Sequence, residues 1–291
     1  QIFTVLGVRE NRDDMNTKPV PLSFRKIIST IAGNDQLMWI GLCFLIQETG
    51  NCIITGGLGS TYIYFTYGYR GGLYSTFTLV GLSATAFLMV FYPMITKRFG
   101  RKNLMRYLLY LSMAGYAMML ASLLFQASMT GFWVLTIGFM CANFGQYGYY
   151  LIMMIAILNT VEYNEYKHGA RDEAIIASLR PFLTKMSSAV IVLITTVTYI
   201  LFGVTTYTNQ ISSLESSATA GTINEAEKLA AIDQVVSAVN SSQTTGLLLV
   251  MVLLSAVLMG ISYYLYVCHY TLDETEYERI CSELDARHGR S

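Results

Sequence analysis

Charge is scarce in this chain: Asp, Glu, Lys and Arg make up 13% of its 291 residues, about half the roughly 25% usual in soluble domains. A soluble globular domain is therefore excluded as the first reading. Proline is scarcer, at 4 residues. The five cysteines (Cys43, Cys52, Cys141, Cys268 and Cys281) form no CxxC pair, so a disulfide framework or thiolate metal site is not indicated, and they read as packing residues and free thiols. No Walker sequence, GxGxxG after a strand or HExxH is present, which removes support for those enzyme chemistries. The net charge is zero, and no basic stripe with interleaved aromatics lies outside short turns, so a nucleic-acid partner is not expected. A signal peptide is also missing: nothing near Gln1 combines a basic stretch, a short apolar core and a small-residue cleavage site. The run QIFTVL (1–6) reads instead as the end of an earlier apolar helix, which gives the expectation that an N-terminal portion precedes this sequence.

What is present is apolar length. Hydrophobic residues account for 53% of the chain. Six runs, at 35–62, 71–95, 104–125, 131–158, 174–202 and 245–268, reach the roughly 20 residues a helix needs to cross about 30 Å of hydrocarbon. The fold class expected is all-α, a polytopic membrane helix bundle. Its parts are a cytoplasmic segment over 1–34, the bundle over 35–268 and a cytoplasmic tail over 269–291. Of the 19 Lys and Arg, 15 fall in segment 1–34, the 96–106 turn, the 159–173 stretch and the tail, while Arg70 and Lys228 lie on the opposite side. The first side is then cytoplasmic, with both ends inside. The external stretch 203–244 predicts an amphipathic surface helix over 222–240, with Thr222 and Glu225 at capping-box spacing and Ile223, Ala226, Leu229 or Ala230, and Val236 inward. The tail predicts a second surface helix opened by Thr271 and Glu274, with Tyr277, Ile280 and Leu284 on one face.

Polar groups inside a span cost several kcal/mol and so face a bundle interior or a wet path. Glu48, Asn51 and Thr55 recur at i, i+3 and i+7 and share one helix face, with Gln47 beside them. Helix-to-helix hydrogen bonding is the competing explanation of that stripe. In ANFGQYGYYLIMM (142–154) small and amide residues precede tyrosines that can stack on a sugar ring or simply pack. In SLRPFLTKMSSA (178–189), Pro181 removes a backbone donor, and Lys185 lies about 16 Å along the helix from its start, too deep to snorkel comfortably. Arg180 is close enough to the helix end to reach the interface.

Between the fourth and fifth runs stands NTVEYNEYKHGARDEA (159–174), the densest charge in the chain. Together with SLRPFLTKMSSA it resembles the signature of the glycoside–pentoside–hexuronide:cation symporters, melibiose-carrier relatives in the major facilitator superfamily. GVRENR (7–12), PMITKRFGRK (93–102) and YTLDETEYERICSELDAR (270–287) are similar to that family's central connection, basic turn and C-terminal ending. The resemblance implies the C-terminal half of a twelve-helix transporter, helices seven to twelve, working by alternating access. It implies a sugar or glycoside substrate, a coupling cation (Na⁺ or H⁺), membrane lipid and an N-terminal six-helix half as partners, and no other cofactor. The cation's carboxylates belong to the absent half. Glu162, Glu165, Arg171 and Glu173 match residues of a cytoplasmic gate, in a connection between two spans. Lys185 matches the family's interior lysine, and Tyr150 a sugar-contacting aromatic. Arg180 and Pro181 replace a sugar-touching Gln-Thr pair, and an extra cation suits an anionic sugar. Thr184, Glu48 and Asn51 complete the substrate-facing set. Asn159 and Asn164 depart from the family's usual Asp and Gly, and imply a less acidic gate and a stiffer turn.

The function expected is cation-coupled symport of a sugar, glycoside or hexuronide across the cytoplasmic membrane. Its rivals are a non-transporting membrane sensor with a transporter fold and a symporter of lipid or another non-sugar solute. An enzyme is not expected, because no nucleophile–base pair or metal-ligating cluster falls within the spans.

Overall fold

The computed structural model describes residues 24–125 and 127–287. QIFTVL, GVRENR and the cations Arg9, Arg12, Lys18 and Arg290 lie outside the described residues. Among the described residues all regular structure is helical. Six helical segments are long and apolar enough to cross a membrane: Asp35–Tyr67, Gly71–Thr96, Arg101–Phe125, Met129–His168, Glu173–Leu201 and Ser241–His269. The molecule is a multi-pass membrane helix bundle, as expected.

Helix α1 (Phe24–Gly33) precedes the first span, in a stretch read from sequence only as a connecting segment. That span is α2 (Asp35–Ile53), a π turn (Ile54–Leu58) and α3 (Gly59–Tyr67). The interruption has a local cause. Gly56 (φ −83°, ψ 18°) and Gly57 (φ 122°, ψ −34°) leave helical geometry, and the second conformation is open only to glycine. The carbonyl of Gly57 accepts from Ser60 Oγ at 2.9 Å and from Tyr199 Oη at 3.3 Å, so the break is satisfied by protein in place of water.

Spans two and three are α4 (Gly71–Phe99) and α5 (Arg101–Ala121), the latter closed by a 3₁₀ turn. The fourth is α6 (Met129–His168). Its 40 residues extend about 60 Å, twice the hydrocarbon thickness. Its last turns therefore project past the apolar layer, and most of the charged stretch predicted as a connection is helix. Only Gly169 to Asp172 form the reversal. α7 (Glu173–Leu201) follows.

The stretch 203–244 holds two helices, α8 (Thr205–Thr219) and α9 (Glu225–Ser237). The capping box on α9 is Asn224 with Glu227, not Thr222 with Glu225. The inward face carries Lys228 and Ile232, whereas Ala226, Leu229 and Ala230 are exposed. The expected periodicity holds but its phase was wrong, because Lys228 turns inward to pair with Glu225 and Glu215. The last span is α10 (Ser241–Leu249), a π turn (Val250–Leu254) and α11 (Ser255–His269). The tail helix α12 (Glu274–Arg287) buries Ile280 and Leu284 as predicted, with Tyr277 half-buried. Its cap is Asp273, whose Oδ1 accepts from Glu276 N, and not Thr271, whose backbone N–H donates to Gln36. Glu274 instead accepts from Arg101 N at 3.0 Å and so closes the start of α5.

Spans one and four are the most enclosed; α4 and α7 are peripheral. The tightest seam joins α5 to α6 through Gly115, Gly138, Gly145 and Ser112, the small-residue packing that membrane bundles use in place of a hydrophobic drive. A Cβ on Gly138 would stand 2.8 Å from both Gly115 O and Met119 N. Ser112 Oγ donates to Ala142 O across this seam.

Candidate functional site

Two constellations stand out. The first lies within the spans. Arg180 of α7 donates from Nε (3.0 Å) and Nη2 (2.5 Å) to Tyr150 Oη of α6, and its guanidinium stands 5.5 Å over the same ring. Tyr150 also meets Phe44 and Tyr147 at centroid distances of 5.5 and 6.1 Å. Glu48 of α2 is 7% exposed, takes the Cys52 thiol at 3.8 Å, and leaves Oε2 with no partner among the described residues. Asn51 and Arg180 lie within electrostatic reach of the Glu48 carboxylate, and Asn51 within reach of Tyr147. Arg180 thus turns into the span to Tyr150 and does not simply reach for the interface.

α7 explains why this face is open. Ile176, Leu179, Leu183, Ser187 and Ile191 face the bundle. The outward half divides in two. Arg180, Thr184 and Ser188 succeed one another at i, i+4 and i+8, with Lys185 adjoining, whereas Phe182, Met186 and Leu193 form an apolar strip. Lipid accommodates the strip but not the cations. Thr184 Oγ1 bonds back to Arg180 O at 3.2 Å. Lys185 is exposed and has no hydrogen bond or ion pair among the described residues, so the structure does not bring it into the Glu48–Tyr150–Arg180 group.

Other polar residues of these spans are structural. Gln47 donates to Gln146 Oε1 (2.9 Å), Gln146 to Tyr116 Oη (2.7 Å), and Asn143 to Gly81 O and Thr85. Tyr149 is fully buried. The ANFGQYGYY stretch is therefore split: its amides and Tyr149 tie helices together, and Tyr147 and Tyr150 face the cluster. Thr55 leaves the Glu48–Asn51 stripe because the π turn intervenes, and it is exposed. Tyr147 was missed, although its place one turn before Tyr150 marks it.

The second constellation sits at the projecting end of α6. Arg171 reaches three carboxylates: Glu162 Oε1 at 3.0 Å, Glu165 Oε2 at 3.2 Å and Glu173 Oε2 at 3.5 Å. All four residues of the expected gate meet. Gly169 makes this possible at φ +69°, letting the chain turn back so that Arg171 faces the helix it has just left. Partial burial opposes the Arg171 charge, but Glu162, Glu173 and Glu165 outweigh it and push the guanidinium pKa up. Around this clamp, Asp172 takes Lys26 (2.8 Å) and Thr30 (2.9 Å) of α1. Asp35 takes Lys167 (2.5 Å) and Tyr163 (3.0 Å). Asn34 caps α2 through Leu37 N and donates to Thr160 O. None of these flanking contacts was identified from sequence, and apart from the Asn34 cap each joins residues more than a hundred positions apart.

Two expectations are corrected here. Asn164 is not in a turn: it is buried in α6 and donates to Ala170 O at 2.7 Å, steadying the reversal from within the helix. Asn159 is buried away from the clamp, beside Arg101.

The sequence profile of a family described as MFS/sugar transport protein matches residues 1–224. The raffinose carrier protein of Pediococcus pentosaceus is 28% identical over 193 residues, covering 64% of this chain and 28% of that protein. A lactose permease of Leuconostoc lactis is 27% identical over 193 residues, 65% of this chain and 28% of its own length. A lactose permease of Lactobacillus helveticus is 26% identical over 172 residues, with 58% and 25% covered. The chain thus spans less than a third of the length of these relatives. They are named as a carrier and permeases, not as enzymes.

Proposed function

The chain belongs to the MFS/sugar transport protein family, and from that premise we propose that it is the C-terminal six-helix half of a cation-coupled saccharide symporter of the cytoplasmic membrane. Residues 35–268 are the transmembrane half-bundle, and 269–291 with the segment before residue 35 lie on the cytoplasmic side, where the clustered cations belong. The observation that carries this reading is the polar row of Arg180, Thr184 and Lys185 on α7, open beside a lipid-compatible strip on the same helix, with Tyr150 half-buried and Glu48 buried behind it. A second six-helix half would cover that face and enclose a wet cavity.

In that cavity Tyr150 offers a ring and a hydroxyl to a sugar, and Arg180 and Glu48 offer a donor and an acceptor. Lys185, without a partner here, is available to substrate or to the opposite half. The Arg171 clamp is the cytoplasmic gate: it holds the ends of α6 and α7 together, and its pairs break as the halves rock about a midplane site. A coupling cation, Na⁺ or H⁺, drives this only by binding one state more tightly than the other.

The test is uptake of labelled lactose, raffinose and a hexuronide by cells expressing the full-length transporter, with and without a Na⁺ or pH gradient. The expected result is gradient-driven uptake of one of them, lowered at least tenfold by Lys185→Ala and by Arg180→Gln. Normal surface expression with no uptake of any of these, or uptake indifferent to both substitutions, would overturn the proposal.

A further inference from the structure

At the end of the bundle opposite the clamp, α8 stands over the outer half-helix α3 without closing on it. Phe65 and Tyr207 meet at one point, 6.4 Å between ring centroids, and Tyr69 Oη donates to Glu215 Oε1 at 2.5 Å at another. Between them lies a crevice of about 240 Å³, lined by Thr61, Tyr64, Tyr69, Tyr199, Thr208 and Ser212 among others. At about 30 Å³ per water it has room for roughly eight waters, the scale of one sugar ring and too small for a whole oligosaccharide.

Its walls are chemically specific. Tyr64 lies 4.7 Å from Tyr69 and 5.8 Å from Tyr74, centroid to centroid, so one half-exposed ring is held in place by two others. The hydroxyls of Tyr64 and Ser212 make no hydrogen bond among the described residues. Behind this wall Glu215, itself paired with Lys228 at 3.7 Å, accepts from Tyr69 and fixes that ring. A fixed aromatic face and unpaired hydroxyls suit a pyranose, whose C–H face stacks while its hydroxyls hydrogen-bond. A lipid chain would not use the hydroxyls.

We infer that this crevice is a second saccharide site, separate from the Arg180–Tyr150 face, which holds one ring of the substrate at the outer mouth under the α8–α9 cap. The inference rests on the sugar-transport reading above. The site captures the sugar before the central cavity does, so its loss raises KM and leaves kcat unchanged.

The test uses Ser212→Cys in the purified full-length transporter in detergent, with the unsubstituted protein as the background for native thiols. Maleimide labelling of the new cysteine is timed with lactose, with raffinose and with mannitol, a polyol without a ring. At saturation the ring sugars should slow labelling at least threefold and mannitol should not. Protection should persist when Arg180→Gln is added, weaken with Tyr64→Phe, which keeps the ring and loses the hydroxyl, and vanish with Tyr64→Ala. Thr208→Phe, which fills the crevice, should abolish protection too, and serves if Tyr64→Ala does not fold. Equal labelling with and without sugar, in protein that still transports after reconstitution, overturns the site and leaves the function standing. Protection that disappears with Arg180→Gln also overturns it, since the change at Ser212 would then be relayed from the central face. A protein that neither transports nor is protected refutes both.

Discussion

Arg171 gathers the three-carboxylate clamp on one side chain, and its partners are unequal. Glu162, at 3.0 Å with its side chain 18% exposed, is the strongest, and Glu173, at 3.5 Å and 65% exposed, the weakest. Exposed pairs contribute about 0–1 kcal/mol each, and about 1.4 kcal/mol is tenfold in an equilibrium. Arg171→Gln removes all three pairs, together worth up to about 3 kcal/mol, and should therefore open the α6–α7 end by up to about a hundredfold, read as faster alkylation of a cysteine at Ser188. Glu162→Gln should give a several-fold change and Glu173→Gln almost none. Asp172 adds a pH dependence. The Lys26 ammonium, against the opposing effect of partial burial and with Thr30 assisting, holds its carboxyl below the usual carboxylate range. A carboxylate with a depressed folded pKa contributes its stability in full above the unfolded value and loses it as pH falls through the folded one. Hydrogen-exchange protection in α1, taken relative to the intrinsic rate at each pH, should thus be unchanged between pH 7 and about pH 5 and should fall only below about pH 4, and Asp172→Asn should be weakly protected throughout.

At the scale of elements, two features decide what moves and what does not. The α5–α6 seam is rigid because backbone meets backbone: a Cβ at Gly115 would stand 2.6 Å from Gly138 O, and no rotamer relieves it. Gly115→Ala should lower stability by about 1–3 kcal/mol, measured as a drop in Tm in detergent. The first span, in contrast, is jointed at Gly56 and Gly57. Gly57→Ala forces a side chain to φ 122° at a cost of about 1–2 kcal/mol. Because the strain falls on the joint between α2 and α3, uptake should fall several-fold. The clamp's legibility also belongs to this scale. The family pattern grouped Glu162, Glu165, Arg171 and Glu173, and the four side chains meet, but it read them as residues of a connection. Hydropathy ends the fourth span near residue 158, where apolar residues stop, whereas helix propagation continues to His168 because nothing before Gly169 breaks it.

For the whole molecule, the peripheral position of α4 and α7 leaves both a lipid-compatible strip and a polar face uncovered. A bundle with Arg180 and Lys185 open to hydrocarbon is costly. Expressed alone, these residues should self-associate or melt non-cooperatively in detergent, as checked by size-exclusion chromatography and thermal denaturation; a cooperative monomer would contradict this.

The sequence by itself determined the number of spans, the helical class, the clustering of cations on one side and the periodic inward face of the tail, because these follow from apolar length and from residues a few positions apart. Tertiary structure alone decided the rest. It sorted Gln47, Asn143, Gln146 and Tyr149 into bundle ties and gathered Tyr147 and Tyr150 with buried Glu48 and exposed Arg180 into a separate cluster, a distinction that periodicity on one helix does not make. It turned Lys228 inward and so shifted the phase of α9. It joined Asp172 to Lys26 and Asp35 to Lys167. The physical reason is common to all of these: a polar group's role depends on which partner from another helix satisfies it, and that partner is set by packing across the bundle, not by its neighbours along the chain.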